Sequence, residues 1–534
     1  MTSVLPVLKR SLSLMAVGAL AMIAVNASPA AAQSAASKSL VIGIAENTTT
    51  LDPARAFEPE SGIILKASYD TLVTFPADNV SKIIPDLATS WVISPDGLTY
   101  TFTLKDGAVF SSGNPVTSAD VVFSFNRLIN IKGNPSFLAS TIAGITAPDA
   151  KTVVLKLTQP DPAILAKLVY SPFAVTDSVV IKSHGGTDAA GADKSDTAQT
   201  WLDNNSAGTG PYVLTKWDKN NQTTLVKNAK FTGTAPAFDQ VILRDIPQAA
   251  TQKQSLETGD IDIAYDLTPD QSASVKGNTD LKLYEGTGNT VFFLLMNQDK
   301  TIGGPLADPK IDQAIRLALD YPGILKLTGG SAVTPASVIP VGFADAFGTD
   351  KAPVRNLDAA KKLLADAGQG KGFSIDLEYP DFTYQGVNIG TTAQKVQADL
   401  KDLGITVNLK PGSVQVALAN YRDGKSAFAL WFWGPDFIDP GDYTEFLPTG
   451  VVGKRTNWLD ANSEASIQKI RDSLKTEVDP AKRADLFNQM QTYLQANGPF
   501  APIVQPGIQI GYRADLKGFA YNAQWALDPA TFSR

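Results

Sequence analysis

Apolar residues along this chain follow two patterns. Some short runs repeat at period two, the spacing of a half-buried strand; others repeat every three to four residues, the spacing of a helix face. Residues 39–44 (SLVIGI) read as a buried strand opening into the polar loop 46–50 and then Leu51-Asp52-Pro53. Trp91-Val92-Ile93, the turn residues Ser94-Pro95-Asp96-Gly97, and Tyr100, Phe102 and Leu104 predict a hairpin. Thr117 and Asp120 have capping-box spacing, and Val121, Phe125 and Leu128 continue it as a helix. Val153, Leu155 and Leu157 alternate again, whereas 183–200 carries small and polar residues and predicts a surface loop. Further on, Leu357, Ala360, Leu364 and Ala367 line a helix stopped by Gly368. Val396, Leu400 and Leu403 line another, ended by Gly404, and 405–409 alternates as a strand. Asp479-Pro480 is a cap followed by a first-turn proline, starting a helix that carries Leu486, Met490 and Tyr493. Interleaved strands and helices, with no repeat of fixed period, predict an α/β architecture.

The N-terminus is patterned differently. Lys9 and Arg10 precede an uncharged apolar run at 11–25, about 15 residues, shorter than the ~20 that span a bilayer. Ala30-Ala31-Ala32-Gln33 follows with small residues suited to a signal peptidase, so 1–32 reads as a cleaved secretory signal. No later run approaches a membrane span, and without Cys there is no lipid-attachment residue. The expectation is an exported, soluble protein, and the resemblance given below places it in the periplasm.

Composition narrows the chemistry. The absence of Cys excludes disulfides, thiolate nucleophiles and Cys-rich metal sites. The single His, His184, sits beside Gly185-Gly186 in the polar stretch and reads as a surface residue. One imidazole offers no basis for a nickel site, and neither a metal nor a cofactor is expected. Forty-six basic against 53 acidic residues give a net charge of -7, which argues against a nucleic-acid binder. A length of 534 residues exceeds what one core supports, roughly 250–300, so more than one domain is expected. The chain has no GxxxxGK[ST], no GxSxG and no HExxH. Asp260-Ile261-Asp262 lacks the rest of a calcium loop. A carboxylate pair for glycoside hydrolysis could still be assembled from distant residues, but no local feature singles one out. The residues lean toward binding without catalysis.

One stretch concentrates candidate chemistry. Trp431-Phe432-Trp433-Gly434-Pro435-Asp436-Phe437-Ile438-Asp439-Pro440 combines aromatic faces with carboxylates, and Asp442 and Glu445 follow. Aromatic walls around an unpaired carboxylate suit a ligand with a cationic group and an apolar body. Phe432 reads as core, and Asp436, in the Pro-containing loop after a strand, reads as a ligand contact.

In order along the chain, several blocks resemble the peptide/opine/nickel-type (family 5) solute-binding proteins of ABC importers, the group of dipeptide- and oligopeptide-binding proteins. They are Leu51-Asp52-Pro53; Tyr69-Asp70-Thr71-Leu72-Val73; Pro85-Asp86-Leu87-Ala88 with Trp91; and Gly97-Leu98-Thr99-Tyr100-Thr101-Phe102. The helix at 116–128, Gly208-Thr209-Gly210-Pro211-Tyr212, Leu295-Met296-Asn297, the helix at 308–318 and the Trp433 to Pro440 block continue the likeness. The resemblance implies a two-lobed α/β periplasmic-binding-protein fold with ligand buried between the lobes. It places lobe I at 39–287 with a return at 505–534, an extra subdomain at about 73–205, and lobe II at 288–504. It implies no catalysis, and a monomer that delivers its solute to permease subunits in the inner membrane. Candidate ligand contacts are Asp436, pairing with a ligand ammonium, with Trp433, Trp431, Gly434, Pro435, Glu46, Asn47 and Asn297 around it. Dipeptide-specific members hold the ligand carboxylate with an Arg in the loop that corresponds to 379–392, where this chain has neither Arg nor Lys. The expected ligand is therefore a longer peptide, or an opine-like amine lacking that carboxylate. An oligosaccharide stacked on Trp431 and Trp433, or a secreted hydrolase using a carboxylate pair, are the alternatives.

Overall fold

Three main sheets organise the described residues, 38–534 of a computed structural model. The segment 1–32, read as a secretory signal, lies outside them. A seven-stranded sheet runs in the order Leu281–Thr287, Gly507–Arg513, Ile263–Ala264, Ser39–Ile44, Gln240–Asp245, Gln222–Lys227, Tyr212–Asp218. Ser39–Ile44 is parallel to both its neighbours, and the remaining pairings are antiparallel. A five-stranded sheet follows the order Thr406–Gly412, Ser374–Pro380, Phe428–Trp433, Val291–Met296, Phe500–Val504. The expected hairpin, Ala88–Ile93 with Thr99–Leu104, forms half of a four-stranded sheet completed by Thr152–Leu157 and Ile142–Thr146.

The period-two pattern explains how the five-stranded sheet is buried. In Val291–Met296 every residue is buried. Phe293 and Leu295 face one core while Phe292, Leu294 and Met296 face another. A strand covered on both faces reads as a continuous apolar run. Phe428–Trp433 divides in the same way. Ala429 and Trp431 point to the first core, and Phe428 and Leu430 to the second. The first core is shared with the four-stranded sheet through Phe102, Val153 and Leu155, so Trp431 and Trp433 face that subdomain.

Local signals act as their chemistry requires. The Thr117 N–H and hydroxyl both donate to Asp120 Oδ2, at 2.9 and 2.7 Å, and start the helix Ser118–Ile131. Asp479 accepts from the Lys482 N–H at 3.0 Å and starts Pro480–Asn497. Gly368 takes a φ of 76° just past Leu357–Asp366, a left-handed position that a side chain would strain. Gly208 and Gly210 allow close approach: a Cβ at either would meet the backbone of Ala67 or Ser68 at 2.8 Å or less.

The stretch 183–200 is largely exposed, as expected, but it is not all loop: it holds the short helix Ala192–Ser195 and the start of Gln199–Leu202, and Asp196 anchors it. Arg127, 1% exposed, donates to both oxygens of Asp52 at 2.7 Å and to both oxygens of Asp196 at 2.8 and 2.9 Å. The composition signalled a loop because a single buried carboxylate carries this anchoring. His184 is exposed, stacked on Trp201 at 4.3 Å.

The chain crosses between the two large sheets twice, at 288–290 and at 505–506. The crossings are bonded to each other. The Gly288 N–H donates to the Pro506 carbonyl at 2.9 Å, and fully buried Gln505 donates from Nε2 to the Gly288 carbonyl at 2.6 Å.

Candidate functional site

Phe428–Trp433, the central strand of its sheet, carries the site to the sheet's carboxyl end. Its apolar run ends where Gly434-Pro435 breaks the ladder, since Pro has no N–H to donate. The loop then turns into the short helix Pro440–Phe446, which Asp439 caps through the Gly441 N–H at 2.7 Å. Asp442, 3% exposed, fixes the turn: its Oδ2 accepts from the Asp436 backbone N–H at 3.0 Å and from Trp433 Nε1 at 3.4 Å. Loops beyond the carboxyl ends of strands are where open α/β sheets bind ligands.

A cleft of about 860 Å³ opens there, within the usual range for small-molecule sites. One wall is Trp431, Trp433, Gly434 and Asp436, with Val414, Leu418 and Val451 extending it as an apolar surface. Trp431 stacks on Tyr421 at 4.7 Å. The opposite wall comes from the subdomain of the four-stranded sheet, through Phe137, Thr141 and residues 159–163.

Charge within the cleft is unevenly satisfied. Lys167 pairs with Asp161 at 2.7 Å, Arg483 pairs with Asp439, and Lys475 pairs with Asp472 at 3.5 Å. Arg422 and Arg455 also line the cleft, and neither forms an ion pair among the described residues. The Arg455 guanidinium lies over the rings of Tyr421 and Trp433, at 4.6 and 5.3 Å. Glu445 accepts from the Val451 N–H at 2.5 Å, whereas the Asp436 side chain makes no hydrogen bond among the described residues. Burial pushes the Asp436 carboxyl up to about 6; Glu445 adds to this and Arg455 opposes it. Burial, and then Asp436, push the Asp442 carboxyl well above the carboxylate range. The cleft thus presents one unbonded carboxylate and two unpaired guanidinium groups against aromatic walls, a complement to a zwitterion.

The structure brings together Trp431, Trp433, Gly434 and Asp436. Phe432 packs on Phe292 and stacks on Tyr384 at 4.5 Å, but its edge also reaches the cleft. Pro435 is half-buried between lining residues without lining the cleft itself. Three candidates are not brought to it. Glu46 is half-buried at the end of Ser39–Ile44 and accepts from Trp217 Nε1 at 2.8 Å, and Asn47 beside it is exposed. Asn297, expected as a ligand contact, is fully buried and serves as a fastening. Its Nδ2 donates to the carbonyls of Gly424 and Ser426, and its Oδ1 accepts from Asn457 at 3.0 Å. Arg422 and Arg455 were missed. Each ends a helix, Val414–Arg422 or Val451–Arg455, and only the tertiary fold brings it to the cleft that Asp436 lines.

Comparison with known proteins defines the class. Residues 82–453 match the model of the bacterial extracellular solute-binding proteins, family 5. The chain belongs to that family, the solute-binding components of ABC importers. It is 31% identical to a probable D,D-dipeptide-binding periplasmic protein, DdpA, of Escherichia coli (strain K12), over 90% of this chain and 91% of that protein. It is 26% identical to the glutathione-binding protein GsiB of Shigella boydii serotype 4 (strain Sb227), over 93% and 94%. The solved structure of HbpA2 from Haemophilus parasuis has the same fold, with a TM-score of 0.80 at 22% identity over 93% of this chain and 99% of that one. The architecture is the two-lobed α/β fold of periplasmic binding proteins.

Proposed function

We propose that the protein captures small peptides, or closely related amine-bearing solutes with a free carboxylate, in the periplasm and hands them to a membrane permease. In this reading Asp436 takes the ligand ammonium, and Arg422 and Arg455 take its carboxylate. Trp431, Trp433 and the apolar wall at Val414, Leu418 and Val451 take its side chains. The observation that carries the reading is the unbonded Asp436 carboxylate sharing one cleft with two unpaired guanidinium groups. Burying an ammonium without a counter-ion costs several kcal/mol, so such a carboxylate selects for it.

This revises one expectation. The lack of a cation at 379–392 pointed to a longer peptide or to an amine lacking that carboxylate; in this reading Arg422 and Arg455 supply the missing cation from elsewhere, so short peptides fit as well. The relatives support a zwitterionic ligand, since the names of DdpA and GsiB assign them a dipeptide and glutathione. The protein binds without catalysis and acts as a monomer, with the lobes at 39–287 plus 505–534 and at 288–504 closing on the solute. Native mass spectrometry of the purified protein, followed by release and identification of the bound solute, tests this. A peptide or amino-acid conjugate is expected, and a neutral sugar would overturn the reading.

A further inference from the structure

The short helix Pro440–Phe446 carries a cleft residue to which the proposed binding scheme gives no part. Asp442 lines the cleft together with Asp436, although it is only 3% exposed. Its two carboxyl oxygens have different surroundings. Oδ2 accepts from the Asp436 backbone N–H at 3.0 Å and from Trp433 Nε1 at 3.4 Å. Oδ1 makes no hydrogen bond among the described residues, yet it is not sealed in the interior as the unbonded Asp312 Oδ1 is. Oδ1 is therefore the oxygen through which Asp442 meets the cleft.

No cation compensates Asp442. Both donors to Oδ2 are neutral N–H groups, and the charged groups acting on it are the carboxylates of Asp436 and Glu445. A buried carboxyl without a counter-ion keeps its proton, since desolvation and neighbouring like charge both disfavour the anion. Burial, and then Asp436, push this carboxyl well above the usual range. With Oδ2 occupied as an acceptor, the proton belongs on Oδ1, and Asp442 becomes a hydrogen-bond donor on the cleft side. Asp436, raised only to about 6, is the anion of the two at neutral pH. Neighbouring carboxyls held apart in this way divide donor and acceptor roles between them.

We propose that Asp442 is a specificity-determining residue, whose Oδ1 hydroxyl donates to the carbonyl oxygen next to the ammonium that Asp436 holds. The inference rests on the amine-bearing ligand proposed for the cleft, and narrows it. In an α-aminoacyl unit the ammonium and the carbonyl are attached to one carbon, so adjoining carboxyls, one ionised and one neutral, suit the two groups together. A simple amine or diamine has no acceptor at that place and leaves the Asp442 donor unmet, which costs affinity. The cleft therefore selects peptides and amino-acid derivatives with a free N-terminus over other amines.

Trialanine, and its analogue with an (E)-alkene in place of the first peptide bond, are titrated calorimetrically into wild type and variants to test it. The wild type should prefer trialanine roughly tenfold, the worth of one hydrogen bond. Asp442→Ala should lose that preference. Asp442→Asn, which keeps an acceptor for the Asp436 N–H and offers an N–H donor to the cleft, should retain most of it. A preference unchanged in Asp442→Ala would make Asp442 a fastening of the turn alone. A loss of about tenfold or more for both probes in Asp442→Asn would put a charged carboxylate on the ammonium instead. Either result overturns the proposal. Infrared difference spectra of wild type against Asp442→Asn keep it testable if Asp442→Ala fails to fold. They should contain a protonated-carboxyl band that shifts when trialanine binds, and absence of that band would overturn the proposal. Failure of the wild type to bind either probe would overturn the peptide reading itself, and this role with it.

Discussion

Asp436 combines two properties that pull in opposite directions. Its carboxyl is raised to about 6, because burial and Glu445 disfavour its charge. An unfolded aspartate titrates lower, so the folded state holds an extra proton between about pH 4 and 6 and stability falls as pH rises through that window. Above it the penalty is fully present, and a bound ammonium relieves it. The affinity for an amine ligand should therefore fall below about pH 6 by up to roughly tenfold per unit, as calorimetric titrations at stepped pH would register. A pH-independent affinity would show that the ligand does not meet this carboxylate. Arg455 carries the complementary prediction. Arg455→Met should weaken a free-acid ligand about tenfold or more while leaving its carboxyl-amide unchanged. Equal losses for both would make Arg455 a packing residue for Tyr421 and Trp433.

At the scale of elements, buried charge links segments that apolar packing leaves loose. Arg127 ties the helix Ser118–Ile131 to Asp52 in the opening loop and to Asp196 in the stretch after His184. Burial alone would raise the Asp196 carboxyl, but its hydrogen bonds and charge contact with Arg127 hold it below the usual range. A depressed carboxylate contributes stability above its unfolded value and loses it as pH falls through the folded one, so this tie should loosen in acid. Arg127→Met removes the bidentate partner of two buried carboxylates, leaving them the longer contacts with Arg55 at 3.3 and 3.7 Å, and should cost up to about 3–5 kcal/mol by urea denaturation at neutral pH. A cost below about 1 kcal/mol would mean that the network is incidental. The same contrast marks how far the sequence could be read. Periodic apolar runs, caps and the Trp433 to Pro440 block announce themselves within a few residues, so the hairpin, the main helices and the loop that carries Asp436 into the cleft were legible. Asp196 in a small polar stretch, and Asn297 bonded to Gly424 and Ser426, have roles set by residues far away in the chain. A polar residue after a strand reads the same whether it meets ligand or fastens a turn. Arg422 and Arg455 stayed hidden for that reason, each looking like an ordinary cation at a helix C-terminus.

Across the whole molecule, the arrangement is two large sheets joined by two adjacent crossings that bond to one another through Gly288, Gln505 and Pro506. Such a joint permits rotation about a short axis while keeping both sheets intact, the hinge type of domain closure. Saturating solute should shrink the radius of gyration in small-angle scattering, and an unchanged value would contradict closure. The central claim, that a free carboxylate at Asp436 selects the ligand ammonium, has one direct measurement. The solute identified by mass spectrometry and its N-acetylated form are titrated calorimetrically into wild type and Asp436→Asn. The wild type should strongly prefer the free amine. Asp436→Asn should lose about 2–5 kcal/mol for the amine, while the acetylated form binds both proteins alike. Equal binding of the two forms by the wild type would contradict the claim.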